Sequence, residues 1–113
     1  MSPTPEVLVD RLRVLTRMAR AALTDLDFAT QAVDQLSDEL RRAGSLLGLE
    51  APLARRLLSL REELDSHALT ASALAGCDVD DATALAMMQR GIDAVEFGLP
   101  QRGDPILSPV PVH

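Results

Sequence analysis

From Leu8 to Leu40 an apolar residue recurs at alternating steps of four and three: Leu8, Leu12, Leu15, Ala19, Ala22, Leu26, Ala29, Val33, Leu36, Leu40. The seam holds for about four and a half heptads without a slip, and helical backbone is what lines such positions up. Thr4 followed by Pro5 makes a good helix start, and Glu6 suits the positive end of the helix dipole. No Pro or Gly follows until Gly44. The pattern therefore predicts one helix over residues 5–43, roughly 55–60 Å long. A compact globule of this size is only about 35 Å across. The expectation is an elongated molecule, or a helix covered by a partner.

Residues 43–52 break the pattern, with Gly44 placed to end the first helix and Pro52 to open the next. A second seam then runs through Leu53, Leu57, Leu60, Leu64, His67, Ala71 and Leu74, predicting a helix over residues 53–75. Folding the chain back between the two pairs Leu40 with Leu57, Leu36 with Leu60, Val33 with Leu64, Ala29 with His67, Leu26 with Ala71 and Ala22 with Leu74. Large faces small in the last three layers, as close packing requires. This arrangement also brings Arg56 towards Glu39, and Arg61 towards Asp34 and Asp38. The seam is thus read as one arm of a long antiparallel helical hairpin.

Asp78, Asp80 and Asp81 suit the start of a third helix over residues 79–97, which Gly98-Leu99-Pro100 stops. Two placements fit. The helix continues past a kink, so that Leu85 meets Leu12 and residues 78–81 approach Arg17 and Arg20, or it reverses into a bundle. Residues 101–113 carry Pro105, Pro109 and Pro111 and no helical period, so they are read as an extended tail after a single domain of residues 1–100.

Composition supports an all-α fold. Leu and Ala dominate, while the aromatics are only Phe28 and Phe97 and Ile occurs only at Ile92 and Ile106. There is no Lys and no Asn, for which a GC-rich coding sequence is the expected cause and selection against lysine the alternative; the source is expected to be bacterial. Net charge is −6. With so few aromatics for stacking, that argues against nucleic acid and against an anionic membrane surface as partners. No signal peptide and no apolar run of membrane-spanning length is visible. The expected setting is the cytoplasm.

A second apolar line flanks the seam. Val7, Val14, Ala21 and Phe28 recur every seven residues, with Met18 and Ala32 beside them. A two-helix hairpin buries one stripe per helix, so a stripe this wide wants a further neighbour. One reading is that the third helix covers it. The sharper one is a homodimer in which two hairpins form a bundle, with Val14, Met18 and Phe28 at the contact. The tail supplies a second candidate contact through Ile106, Leu107, Val110 and Val112, because Pro-containing apolar segments dock in grooves at low entropic cost.

Other candidates are weaker. His67 occupies a seam position with Glu63 one turn earlier, so it is a candidate pH switch, against the simpler reading of a histidine in a loosened layer. Glu63 and His67 are four apart and His113 is the only other histidine, so no metal or cofactor is expected. Cys77 cannot form an internal disulfide and has no base placed near it. Arg41, Arg42, Arg55, Arg56 and Arg61 crowd the loop end and Arg11, Arg13, Arg17 and Arg20 form a second block, both read as solvated. Arg102-Gly103-Asp104 matches an adhesion tripeptide by chance.

The function these residues favour is a non-catalytic helical interaction module: an adaptor, assembly factor or small chaperone, dimeric and docking on a larger protein. The alternative is a small all-α dimeric enzyme. One long and two shorter helices form a layout similar to the all-helical chorismate mutases, which would imply an interhelical site for an anionic substrate, lined here by Arg11, Arg17 and Glu63. Those enzymes also use a lysine, which this chain lacks.

Overall fold

A computed structural model describes residues 4–48, 50–76 and 80–107. Among them the chain is all-helical, with four α-helices, one 3₁₀ turn and no strand. The helices are α1 (Pro5–Ala21), α2 (Leu26–Leu47), α3 (Pro52–Ala75) and α4 (Asp81–Gly98). No helix of the described residues is long and apolar enough to cross a membrane.

The expected single helix over residues 5–43 is two helices. At the end of α1 the Ala22 amide bonds to both Met18 and Ala19 carbonyls, and Leu23 and Asp25 continue with bonds three residues back. This tightening uses up the last carbonyls of the helix without a glycine. Asp25 then turns extended, and its carboxylate accepts from the Asp27 and Phe28 amides, capping α2. A side chain that satisfies two orphan amides makes a new helix start cheaper than continuation. We expect Asp25→Ala to cost about 1 kcal/mol in a urea melt. An unchanged midpoint would show that packing of Leu23 alone holds the turn.

After the turn α2 lies back along α1, so that Arg11 Nε reaches Glu39 Oε2 at 3.4 Å. The heptad seam survives this reversal, because each arm keeps its phase. Leu8, Leu12 and Ala19 on α1 and Ala29, Val33, Leu36 and Leu40 on α2 are all buried in one core. On α1 two residues outside the seam, Val9 and Thr16, are buried as well. The Thr16 hydroxyl donates to the Leu12 carbonyl at 2.6 Å, which removes the penalty of burying it.

Gly44 does not end α2. The helix runs on to Leu47, and Gly48 with φ 90° ends it. Such a backbone suits glycine, which has no Cβ to clash. Gly44 instead lies within the helix, where a Cβ would stand 3.3 Å from the Leu58 side chain. Its bareness lets α3 pack closely on α2. Across that interface Ser37 Oγ donates to Asp65 Oδ1 at 2.6 Å and accepts from Arg61 Nε at 3.3 Å. The expected ion pairs are replaced. Glu39 takes Arg11 and Arg42, and Arg61 takes Asp65. The two helices therefore meet a few residues along from the size-matched layers.

Helix α4 reverses. Its interface with α3 is the most extensive between any two helices of the bundle. Ala84, Gly91 and Gly98 recur every seven residues on it, and small residues at that spacing let two backbones approach. A Cβ on Gly91 would stand 3.0 Å from Leu64 Cδ1 and 3.2 Å from His67 Cβ, and one on Gly98 would overlap the Leu60 methyls. On its other side α4 meets α1. The Arg20 guanidinium bonds to Asp93 at 2.7 Å and to Glu96, while the expected approach to residues 78–81 falls partly outside the described residues. Each helix thus runs antiparallel to the next and α4 closes on α1, giving an up-down-up-down bundle.

The start of the tail is not extended. Arg13 donates to the Pro100 carbonyl, and Pro105–Leu107 form a 3₁₀ turn in which the Asp104 carboxylate accepts from the Ile106 amide at 3.0 Å. Leu107 is buried in the bundle core and Ile106 packs at its margin.

Candidate interaction surface

Reversal at residues 22–25 leaves the flanking stripe uncovered. Val14 is 52% exposed, Met18 55% and Phe28 63%, and Val7 at the start of the same line is 57% exposed. The reason is geometric. Residues 8, 12 and 19 point α1 into the core, and the line through 7, 14 and 21 lies on the opposite side of the same helix. Folding α2 onto α1 consumes the seam and not this line. Neither α3 nor α4 lies on that side.

The turn brings Met18 and Phe28 together. They line one groove of about 410 Å³ between α1 and α2, floored by Leu15, Ala21, Ala22 and Ala32. Leu15 and Gln35 also line a second groove of about 750 Å³ further along the same pair of helices, where Arg11, Arg41 and Arg42 stand with Asp38 and Glu39. The face is therefore apolar at the α1–α2 turn and charged towards the α2–α3 end. Polarisable Met and aromatic Phe are side chains that adapt to a partner surface. An exposed cluster of this kind is less usual than a single exposed apolar side chain such as Phe97. Phe97, though 95% exposed, has no such neighbour in either groove.

The remaining candidates are dispersed. Val110 and Val112 lie outside the described residues, as do Cys77 and His113. Leu107 is occupied within the bundle core and Ile106 at its edge. His67 is half-buried at the α3–α4 contact, with its Nδ1 2.8 Å from the Glu63 carbonyl. A histidine ring nitrogen bonded to its own helix needs no ligand to satisfy it. Arg11 lies between α1 and α2 and Arg17 between α1 and α4, while Glu63 is exposed on α3. These three do not line a common cavity. Among the described residues no three His, Cys, Asp or Glu side chains are grouped to hold a metal ion.

The Arg20 guanidinium has a raised pKa. Its hydrogen bond to Asp93, and then that to Glu96, push it above the usual arginine value. A raised pKa contributes stability that is fully present below the unfolded value and lost only above it. This pair therefore adds no pH dependence near neutrality through its arginine. The chain matches no family model, and no curated protein or solved structure is significantly similar to it.

Proposed function

We propose that this chain is a helical protein–protein interaction module that works as a dimer and docks on a larger protein, as an adaptor, assembly factor or small chaperone of the cytoplasm. The observation that carries the reading is the Met18–Phe28 groove, continued by Val14 on the outer face of α1. A bundle that already has a filled core keeps apolar groups of this size in water. Their burial against a partner gains about 25 cal/mol per Å² of apolar surface removed from water.

The test is a Met18→Glu, Phe28→Glu double variant. Both side chains are more than half exposed, so the melting midpoint should stay within a few degrees of wild type. Association should be lost, both self-association in sedimentation velocity and recovery of a specific partner by affinity capture from the native cell. Wild-type protein that associates with nothing, or a variant that associates as well as wild type, would overturn the proposal.

A further inference from the structure

The outer face of α1 carries a pattern complementary to itself, and we infer that a second copy of this chain docks there, α1 against α1 and antiparallel, about a two-fold axis at Val14. The inference rests on the reading of the chain as a dimeric interaction module and says which surface makes the dimer.

Three features of the face lead to this geometry. The exposed line is Val7, Val14 and Ala21, each seven residues from the next. On one flank stand Asp10 and Arg17, also seven apart, and on the other stand Arg11 and Met18, seven apart again. In antiparallel packing about a two-fold axis, residues at equivalent heptad positions of the two helices face one another. With Val14 on the axis, Val7 of one copy faces Ala21 of the other, large against small, which fills space as a packed core does. On the first flank Asp10 faces Arg17 of the other copy, and symmetry makes that pair twice. On the second flank the Arg11 stem lies along Met18, an arrangement in which a long charged side chain covers an apolar one while its head stays in water. A parallel pairing instead sets the Asp10–Arg17 flank against the Arg11–Met18 flank and puts Val7 against Val7 and Ala21 against Ala21, so it is the fit of large against small that favours the antiparallel one.

Asp10 is not free of other contacts. Its Oδ1 accepts from Arg13 at 2.8 Å and its Oδ2 lies 3.5 Å from Arg102. An ionised carboxylate has about four acceptor sites, and the Asp10 side chain is 43% exposed, so it can take a further guanidinium. Within one chain Asp10 and Arg17 are about 10.5 Å apart along the helix and cannot pair directly. A direct pair between them is therefore intermolecular, and the cysteine series separates it from any relay through Arg13.

The experiment uses the full chain with Cys77→Ser, which removes its single thiol. Val14→Cys in that background should oxidise to a covalent dimer, because the two positions meet at the axis within the Cα separation that a disulfide spans. Val7→Cys alone should stay uncrosslinked, and an equimolar mixture of Val7→Cys and Ala21→Cys should link. Independently, Asp10→Arg and Arg17→Asp should each weaken the dimer about tenfold in sedimentation equilibrium, and the double exchange should restore it to within about threefold. Circular dichroism melts of each variant guard against loss of fold. If Asp10→Arg unfolds the chain through its Arg13 and Arg102 contacts, the cysteine series decides alone. A dimer in which the Val14→Cys protein does not link and the double exchange restores nothing overturns this geometry and leaves the module reading standing. A monomeric wild type that captures another protein through Met18 and Phe28 overturns the self-docking and with it the dimeric part of the module reading, and leaves the docking on a larger protein standing.

Discussion

Gly91→Leu should lower the stability of the bundle by about 3 kcal/mol or more, read as a melting midpoint lower by about 10 °C or more. The α3–α4 interface leaves no room for a side chain there. A single added carbon would already stand 3.0 Å from Leu64 Cδ1, 3.2 Å from His67 Cβ and 3.5 Å from the Leu64 Cα. The first of these neighbours is a methyl that can rotate away. The other two are carried by the α3 backbone and cannot move without moving the helix. Leucine adds three further carbons to that crowding, so α4 must shift outward or detach. Gly91→Ala separates the terms. Alanine gains about 1 kcal/mol of helix propensity over glycine, which offsets much of the strain from one methyl. A near-neutral Gly91→Ala beside a strongly destabilised Gly91→Leu is the expected pair. A Gly91→Leu protein with an unchanged midpoint would mean that α3 and α4 do not pack here.

Leu64→Ala should cost about 2–5 kcal/mol, with the upper half of that range favoured by its surroundings. Leu64 is fully buried and belongs to the central core with Val33, Leu57, Ile92 and Val95. A leucine loses its transfer free energy and leaves a cavity whose cost depends on how well the walls collapse. Here one wall is Gly91, which has no side chain to relax into the space. The two sites are thus coupled. Combining Leu64→Ala with Gly91→Ala should recover about 0.5–1 kcal/mol relative to the sum of the single effects, because the added methyl enters the vacated volume. Additive effects in urea melts would show that the two residues do not touch.

Much of the fold was legible in particular residues, and the misses have particular causes. Val33, Leu36 and Leu40 were identifiable as core from their spacing, and they are buried. The turn at 22–25 was not, because the sequence there holds neither Pro nor Gly and Ala22 and Leu23 are good helix formers. Thr24-Asp25 ahead of an apolar run is a helix-start signal, but such a cap contributes only about 1 kcal/mol. That is too little to outweigh a continuing apolar period by inspection. The close approach of α4 to α3 was equally hidden. Gly91 looks like a weak point of a helix until Leu64 and His67 are seen against it. Of the interaction surface, Val14, Met18 and Phe28 could be picked out as surplus to one helical seam. Their meeting across a turn between two helices could not, since Met18 and Phe28 on one straight helix lie about 15 Å apart.

Residue spacing alone gives a helical chain, the core-facing line of residues 8–40 and an apolar line left over. Hydrophobic period acts locally and reports burial whatever the segment packs against. The packed helices settle where the long seam breaks, which helices become neighbours, and that the leftover line is uncovered within one chain. A seam in heptads reads the same along one straight helix as along two that fold back in phase. The choice between them rests on packing across the bundle, where bare glycines, Leu64 and the capped turn at Asp25 act together.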